Sequence, residues 1–137
     1  MASKNVETVK RVFWAFDRGD HDEFLRHLDD DVDWRVSGYL TGEGNLRGKD
    51  AVRKWLRDIA LLAQTERVEI IQDQDTYRDL DDRTVLVLGS GRITREQGVL
   101  EEEVGWIWRF EGDRVVFMAD YLSHAEALAA ADLLIER

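Results

Sequence analysis

The stretch VGWIWRFEGDRVVFMADY, residues 104–121, decides how the rest of this chain is read. It predicts two long strands joined at Glu111-Gly112-Asp113, a short turn whose glycine and aspartate tolerate unusual backbone angles. Side chains along a strand alternate between its two faces. Val104, Trp106, Trp108 and Phe110 therefore share one face of the first strand, and Val116, Met118, Asp120 and Leu122 share one face of the second. Asp120 is a lone carboxylate in a row of large apolar side chains, the most chemically pointed feature of the sequence.

Working outward from this hairpin, period-two alternation begins at Glu66 and predicts strands over 67–78, 83–94, 99–111 and 114–122. The turns between them are short, which implies an antiparallel meander. Ser123-His124-Ala125-Glu126 has the form of a capping box, and an Ala- and Leu-rich helix follows over 124–135. Upstream, Val6, Val9, Phe13 and Phe16 form an apolar stripe that predicts a helix over 4–18, ended by Gly19. Asp20 caps a short helix over 21–28. Val32, Trp34 and Val36 alternate as a strand, residues 37–48 hold four glycines and read as a loop, and a third helix covers 49–63. With no repeat, linker or low-complexity segment, residues 1–137 read as a single α+β domain. Helices come first, then a curled antiparallel sheet with one face covered by them. A bent sheet over helices leaves a cone with a mouth, where ligand pockets form.

Bulk properties narrow the function classes. The chain has 137 residues, 44% hydrophobic and 35% charged, with a net charge of −10. That balance argues against a nucleic-acid groove or an anionic membrane surface, both of which need clustered Lys and Arg. It suits a soluble cytoplasmic protein. The absence of cysteine excludes disulfides, thiol nucleophiles and cysteine metal sites. No apolar run approaches the roughly 18 residues of a membrane-spanning helix. The three histidines form no ligand pair, and Glu101-Glu102-Glu103 alternate between strand faces, so no metal is expected. No phosphate-binding glycine loop is present, and no cofactor is called for.

Several local motifs carry a family resemblance. They are Asp17-Arg18-Gly19-Asp20 at the helix junction, the segment from Asp31 through Trp34 to Gly38, the entry Arg47-Gly48-Lys49-Asp50-Ala51-Val52, and the ending from Asp113 to Leu122. With the order of elements, they make the chain resemble the nuclear transport factor 2-like superfamily, and within it the SnoaL-like group of polyketide cyclases. The resemblance runs over residues 5–135 and implies a cone-shaped, cystatin-like fold. It also implies a role for Asp120, because SnoaL-like cyclases keep a catalytic aspartate near the end of the last strand. Their histidine on the neighbouring strand falls at Trp106 here. The Arg-x-Asp pair of limonene-type epoxide hydrolases falls around Val87 and Gly89. The base and tyrosine of steroid isomerases fall at Val36 and Val12, which excludes their mechanism.

Two readings of the site follow. In the first, Asp120 is the general acid or base of a cofactor-independent cyclase, isomerase, lyase or hydrolase acting on a small hydrophobic molecule. A carboxylate on an apolar face loses hydration, so its pKa rises toward neutrality. Trp34, Trp55, Trp106, Trp108 and Met118 would shape the pocket, and Glu102 is a second candidate acid. Tyr39, Tyr121 and Arg92 are candidates to contact the ligand or a developing oxyanion. In the second reading the same fold is a non-catalytic ligand-binding or dimeric interaction module. A homodimer through the sheet is expected on either reading. Apolar residues occupy both strand phases, as with Ile107 beside Trp106 and Phe117 beside Met118, which suggests that the outer face is covered by a second copy.

Overall fold

A computed structural model describes residues 3–37, 43–64 and 66–135. The first helix, α1 (Lys4–Arg18), is capped by Ser3, whose side chain accepts a hydrogen bond from the Val6 amide. It ends at Gly19, which adopts a left-handed conformation with φ 69°. Asp20 caps α2 (His21–Arg26), and its side chain accepts from the Glu23 amide. The chain then runs through β1 (Leu28–Ser37), β2 (Glu43–Arg47) and α3 (Lys49–Leu62). Four long strands follow: β3 (Arg67–Asp81), β4 (Thr84–Arg95), β5 (Gly98–Glu111) and β6 (Arg114–Tyr121). The last element is α4 (His124–Ile135).

The strands form one open sheet in the order β2-β1-β6-β5-β4-β3. From β3 to β6 it is the antiparallel meander that the short turns predict. Beyond β6 the sheet departs from expectation, because β1 lies parallel to it, with Trp34 opposite Met118. Short turns dictate only sequence neighbours, whereas the free edge of β6 is satisfied by a strand from far upstream. Residues predicted as loop also contain β2, an edge strand that pairs only with β1. Its glycine and polar residues hide it from a pattern search.

The hydrophobic interior has two layers. The inner face of the sheet packs against α1, α2 and α3, joining Val9, Val12, Phe13, Phe24 and Leu56 to Val85, Val87, Trp106, Trp108 and Phe110. The outer face of the central strands is covered by α4, whose Ala127 and Ala131 pack on Leu86, Leu88 and Ile107. This corrects the ground given for a dimer. Inner-phase residues such as Trp106 are covered by α1 to α3, and outer-phase residues such as Ile107 by the chain's own last helix, with Phe117 partly buried beside them. A Cβ on Gly105 would lie 2.4 Å from the Ala127 Cβ, so that covering contact depends on glycine facing alanine.

The sheet register corrects one face assignment. Arg109 pairs with Phe117, but its neighbour Phe110 pairs with Val115. The extra residue on β6 puts Val115, fully buried, in the core beside Phe110 and displaces Val116 from the face that Met118 and Asp120 share. Leu122 lies beyond the strand and is exposed. Among the described residues no helix is long and apolar enough to cross a membrane.

Candidate functional site

A recess opens between the inner face of the sheet and the helices. Trp106 and Asp120 are directly opposed across β5 and β6, and Trp108 opposes Met118 one step further in. All four line the recess, together with Trp34 from β1 and Trp55 from α3. The helices close it with Phe13 and Phe16 from α1 and Phe24 from α2. These rings meet edge to face. Trp108 lies 5.6 Å from Trp34 and 5.5 Å from Phe13, both at steep interplanar angles. Such contacts pack the interior with fixed geometry. At the outer side, Phe16 and Trp55 stack with ring centroids 6.5 Å apart, and both are only partly buried. The remaining space is about 40 Å³. That volume suits a few water molecules, whereas pockets for organic ligands run from about 300 Å³ upward. The cone is therefore largely filled by its own aromatic side chains.

Asp120 is the only ionisable residue lining the recess among the described residues. The Ser37 backbone amide donates to its Oδ1 at 2.7 Å. Burial pushes the carboxyl group above its ordinary value of 3.8, and hydrogen bonding from Ser37, which favours the charged form, opposes that rise without cancelling it. Ser37 ends β1, and the parallel β1–β6 pairing brings it beside a residue 83 positions away. No sequence signal marks a main-chain donor of this kind. The phenylalanines of α1 and α2 were equally hidden, since their helical spacing is that of any core stripe.

The other expected site residues lie elsewhere. Arg92 donates to Glu101, with its closest contact at 2.7 Å, and does not line the recess. Glu102 is exposed, near the end of the β4–β5 hairpin. Tyr121 packs with Phe117 at the margin of the outer layer, and burial raises the pKa of its phenol. With Arg35, Ser37 and Asn45 it borders a surface groove that reaches the other side of Asp120. Tyr39 falls outside the described residues. Among the described residues no three His, Asp or Glu side chains converge to hold a metal ion. Glu103 accepts from the His124 amide, and the His124 ring lies 2.7 Å from the Gly89 carbonyl oxygen, contacts that tie the start of α4 to the sheet.

A curved, unclosed sheet on an N-terminal helical layer is the architecture of a nuclear transport factor 2-like protein. Residues 9–118 match the SnoaL-like domain model, and the chain belongs to that family. No curated protein matches it. Among solved structures it is similar to a nuclear transport factor 2-like protein of unknown function from Burkholderia pseudomallei, with 27% identity and a TM-score of 0.73. That alignment covers 93% of this chain and 97% of the other. A protein from Xanthomonas campestris assigned to the polyketide cyclases shares 17% identity and a TM-score of 0.68, over 93% of this chain and 96% of that one. An LEH-like epoxide hydrolase from M. tuberculosis shares 16% identity and a TM-score of 0.69, over 96% and 94%. At that distance the last two bear on the fold alone.

Proposed function

We propose that the recess binds a small, largely apolar molecule and that Asp120 acts on it as a general acid or base without a cofactor. The observation that carries this reading is one carboxyl group, held by the Ser37 amide, in a wall otherwise made of aromatic and aliphatic side chains. Burial raises its pKa, which brings proton uptake and release closer to neutral pH. A single carboxyl group can remove a proton from one atom of a ligand and return it to another. That suits a cyclisation, isomerisation or elimination. Hydrolysis would require the same group to activate water unaided. The fold is shared with a protein assigned to the polyketide cyclases and with an epoxide hydrolase, which supports the placement of chemistry in such a cone.

The competing reading is a binding module without turnover. It is favoured by the small free volume and by Trp106 standing where the related cyclases keep a histidine. A thermal-shift screen of polycyclic and terpenoid compounds, followed by turnover assays on the compounds that bind, separates the two. On the catalytic reading Asp120→Asn keeps binding and loses turnover by roughly a hundredfold or more. Turnover that survives this change removes Asp120 from the role, and binding with no turnover in the unaltered protein favours the module.

A further inference from the structure

Ser37 puts a second polar group beside Asp120. Its main-chain N–H donates to Asp120 Oδ1 at 2.7 Å, but its hydroxyl oxygen is buried without a hydrogen-bond partner among the described residues. A buried hydroxyl left unpaired forfeits the hydrogen bonds it made to water, and alanine would hold the same place in the strand without that loss. The hydroxyl is nevertheless close enough to the Asp120 carboxyl for its hydrogen bonding, like that of the amide, to favour the charged form. The backbone here is fixed on both sides. β1 pairs with β6, Arg35 opposite Ala119, and with β2, Ser37 opposite Glu43. The side chain of Ser37 is left free to turn between its staggered positions.

We infer that Ser37 is a positioning residue for Asp120: when the carboxyl group gives up its proton, the Ser37 hydroxyl turns and donates to it, so that amide and hydroxyl together hold the carboxylate. The role rests on the reading of Asp120 as the acid or base of the site, and it identifies the group that makes the base form available. A hydrogen bond to a carboxylate is roughly twice as strong as one between neutral groups, so ionisation gives the hydroxyl a partner that the neutral acid does not. The surrounding elements supply no substitute. β5 sets Trp106 opposite Asp120, and the helices face the recess with the rings of Phe13, Phe16, Phe24 and Trp55. β6 brings Tyr121, whose phenol is kept neutral by burial and by Asp120 itself. β1 brings Arg35, which donates to Asp33 and stands 5.2 Å from the centre of the Phe117 ring. Burial and Ser37 are what move the Asp120 carboxyl.

The test follows the Asp120 side-chain carboxyl by carbon-13 NMR through a pH titration of the full chain, with Ser37→Ala beside the unaltered protein. The substitution keeps the main-chain N–H and removes the hydroxyl. The expected result is a midpoint about one pH unit higher in Ser37→Ala, the scale of one hydrogen bond to a charged group. The direction separates this role from a structural one, because loosened packing that admits water would lower the midpoint. Ser37→Thr and Ser37→Val, alike in shape and differing by the hydroxyl, repeat the comparison should the alanine form fold poorly, and the valine form is expected to titrate higher. With the unaltered midpoint above 3.8, a Ser37→Ala midpoint that is unchanged or lower, or equal midpoints for the threonine and valine forms, overturns the inference and leaves Asp120 a buried acid. A midpoint at or below 3.8 in every form overturns the reading of Asp120, and the inference with it.

Discussion

In the proposed function Asp120 carries most of the weight, and its protonation has a consequence for stability. Its pKa is raised in the folded state chiefly by burial, so the native protein holds this proton more tightly than the unfolded chain does. Its contribution to stability is full below the ordinary aspartate range and is lost as pH rises through the folded pKa. Asp120→Asn keeps the shape and can still accept from Ser37, yet it never ionises. The variant is thus expected to be more stable than the unaltered protein at neutral pH, with the gap closing as pH falls toward 3.8 and below. Urea unfolding over a pH series checks this, and a gap that widens toward acid would reverse the assignment. The sequence made Asp120 legible because a charge in a row of Trp, Met and Val breaks a pattern. Trp34, Trp55, Trp106 and Trp108 were legible as large rings of one interior. Ser37 was not, because its contribution is a main-chain N–H. Arg92 and Glu102 were singled out for their chemistry, but the one pairs with Glu101 and the other stands in solvent at the hairpin end.

At the scale of elements, α4 does what a partner molecule was expected to do. Its sequence announces a helix through Ser123, whose side chain accepts from the Glu126 amide. It does not announce a destination, because alanines carry little directional signal. The destination is written in Gly105, where a side chain would meet Ala127. Gly105→Ala is expected to push α4 from the sheet and to destabilise the fold by about 1–3 kcal/mol, the usual cost of overpacking a well-fitted interior. A melting temperature unchanged by this substitution would mean that α4 is not held there. Helices α1 and α3 and the meander were readable from periodicity, and α2 from its Asp20 cap. The parallel β1–β6 pair and the edge strand β2 were not, since nothing local records a contact between segments about 80 residues apart, such as Trp34 and Met118.

For the whole molecule, an outer sheet partly covered by α4 changes what a dimer can be made of. The homodimer expected through the sheet stands as a proposal on a different surface, the outward side of α4, where Leu133 is exposed. Sedimentation velocity is expected to give twice the chain mass, and Leu133→Lys to return the protein to a monomer without lowering its melting temperature. A monomer from the outset would contradict the proposal. In the proposed function the cone and its covering helices hold a largely buried carboxyl group beside an aromatic wall. The most direct test is a carbon-13 NMR titration of the Asp120 side-chain carboxyl in the full chain. The predicted midpoint lies above the ordinary aspartate value of 3.8. A midpoint at or below that value would show a hydrated or fully paired carboxylate, and the recess would then have no acid to offer.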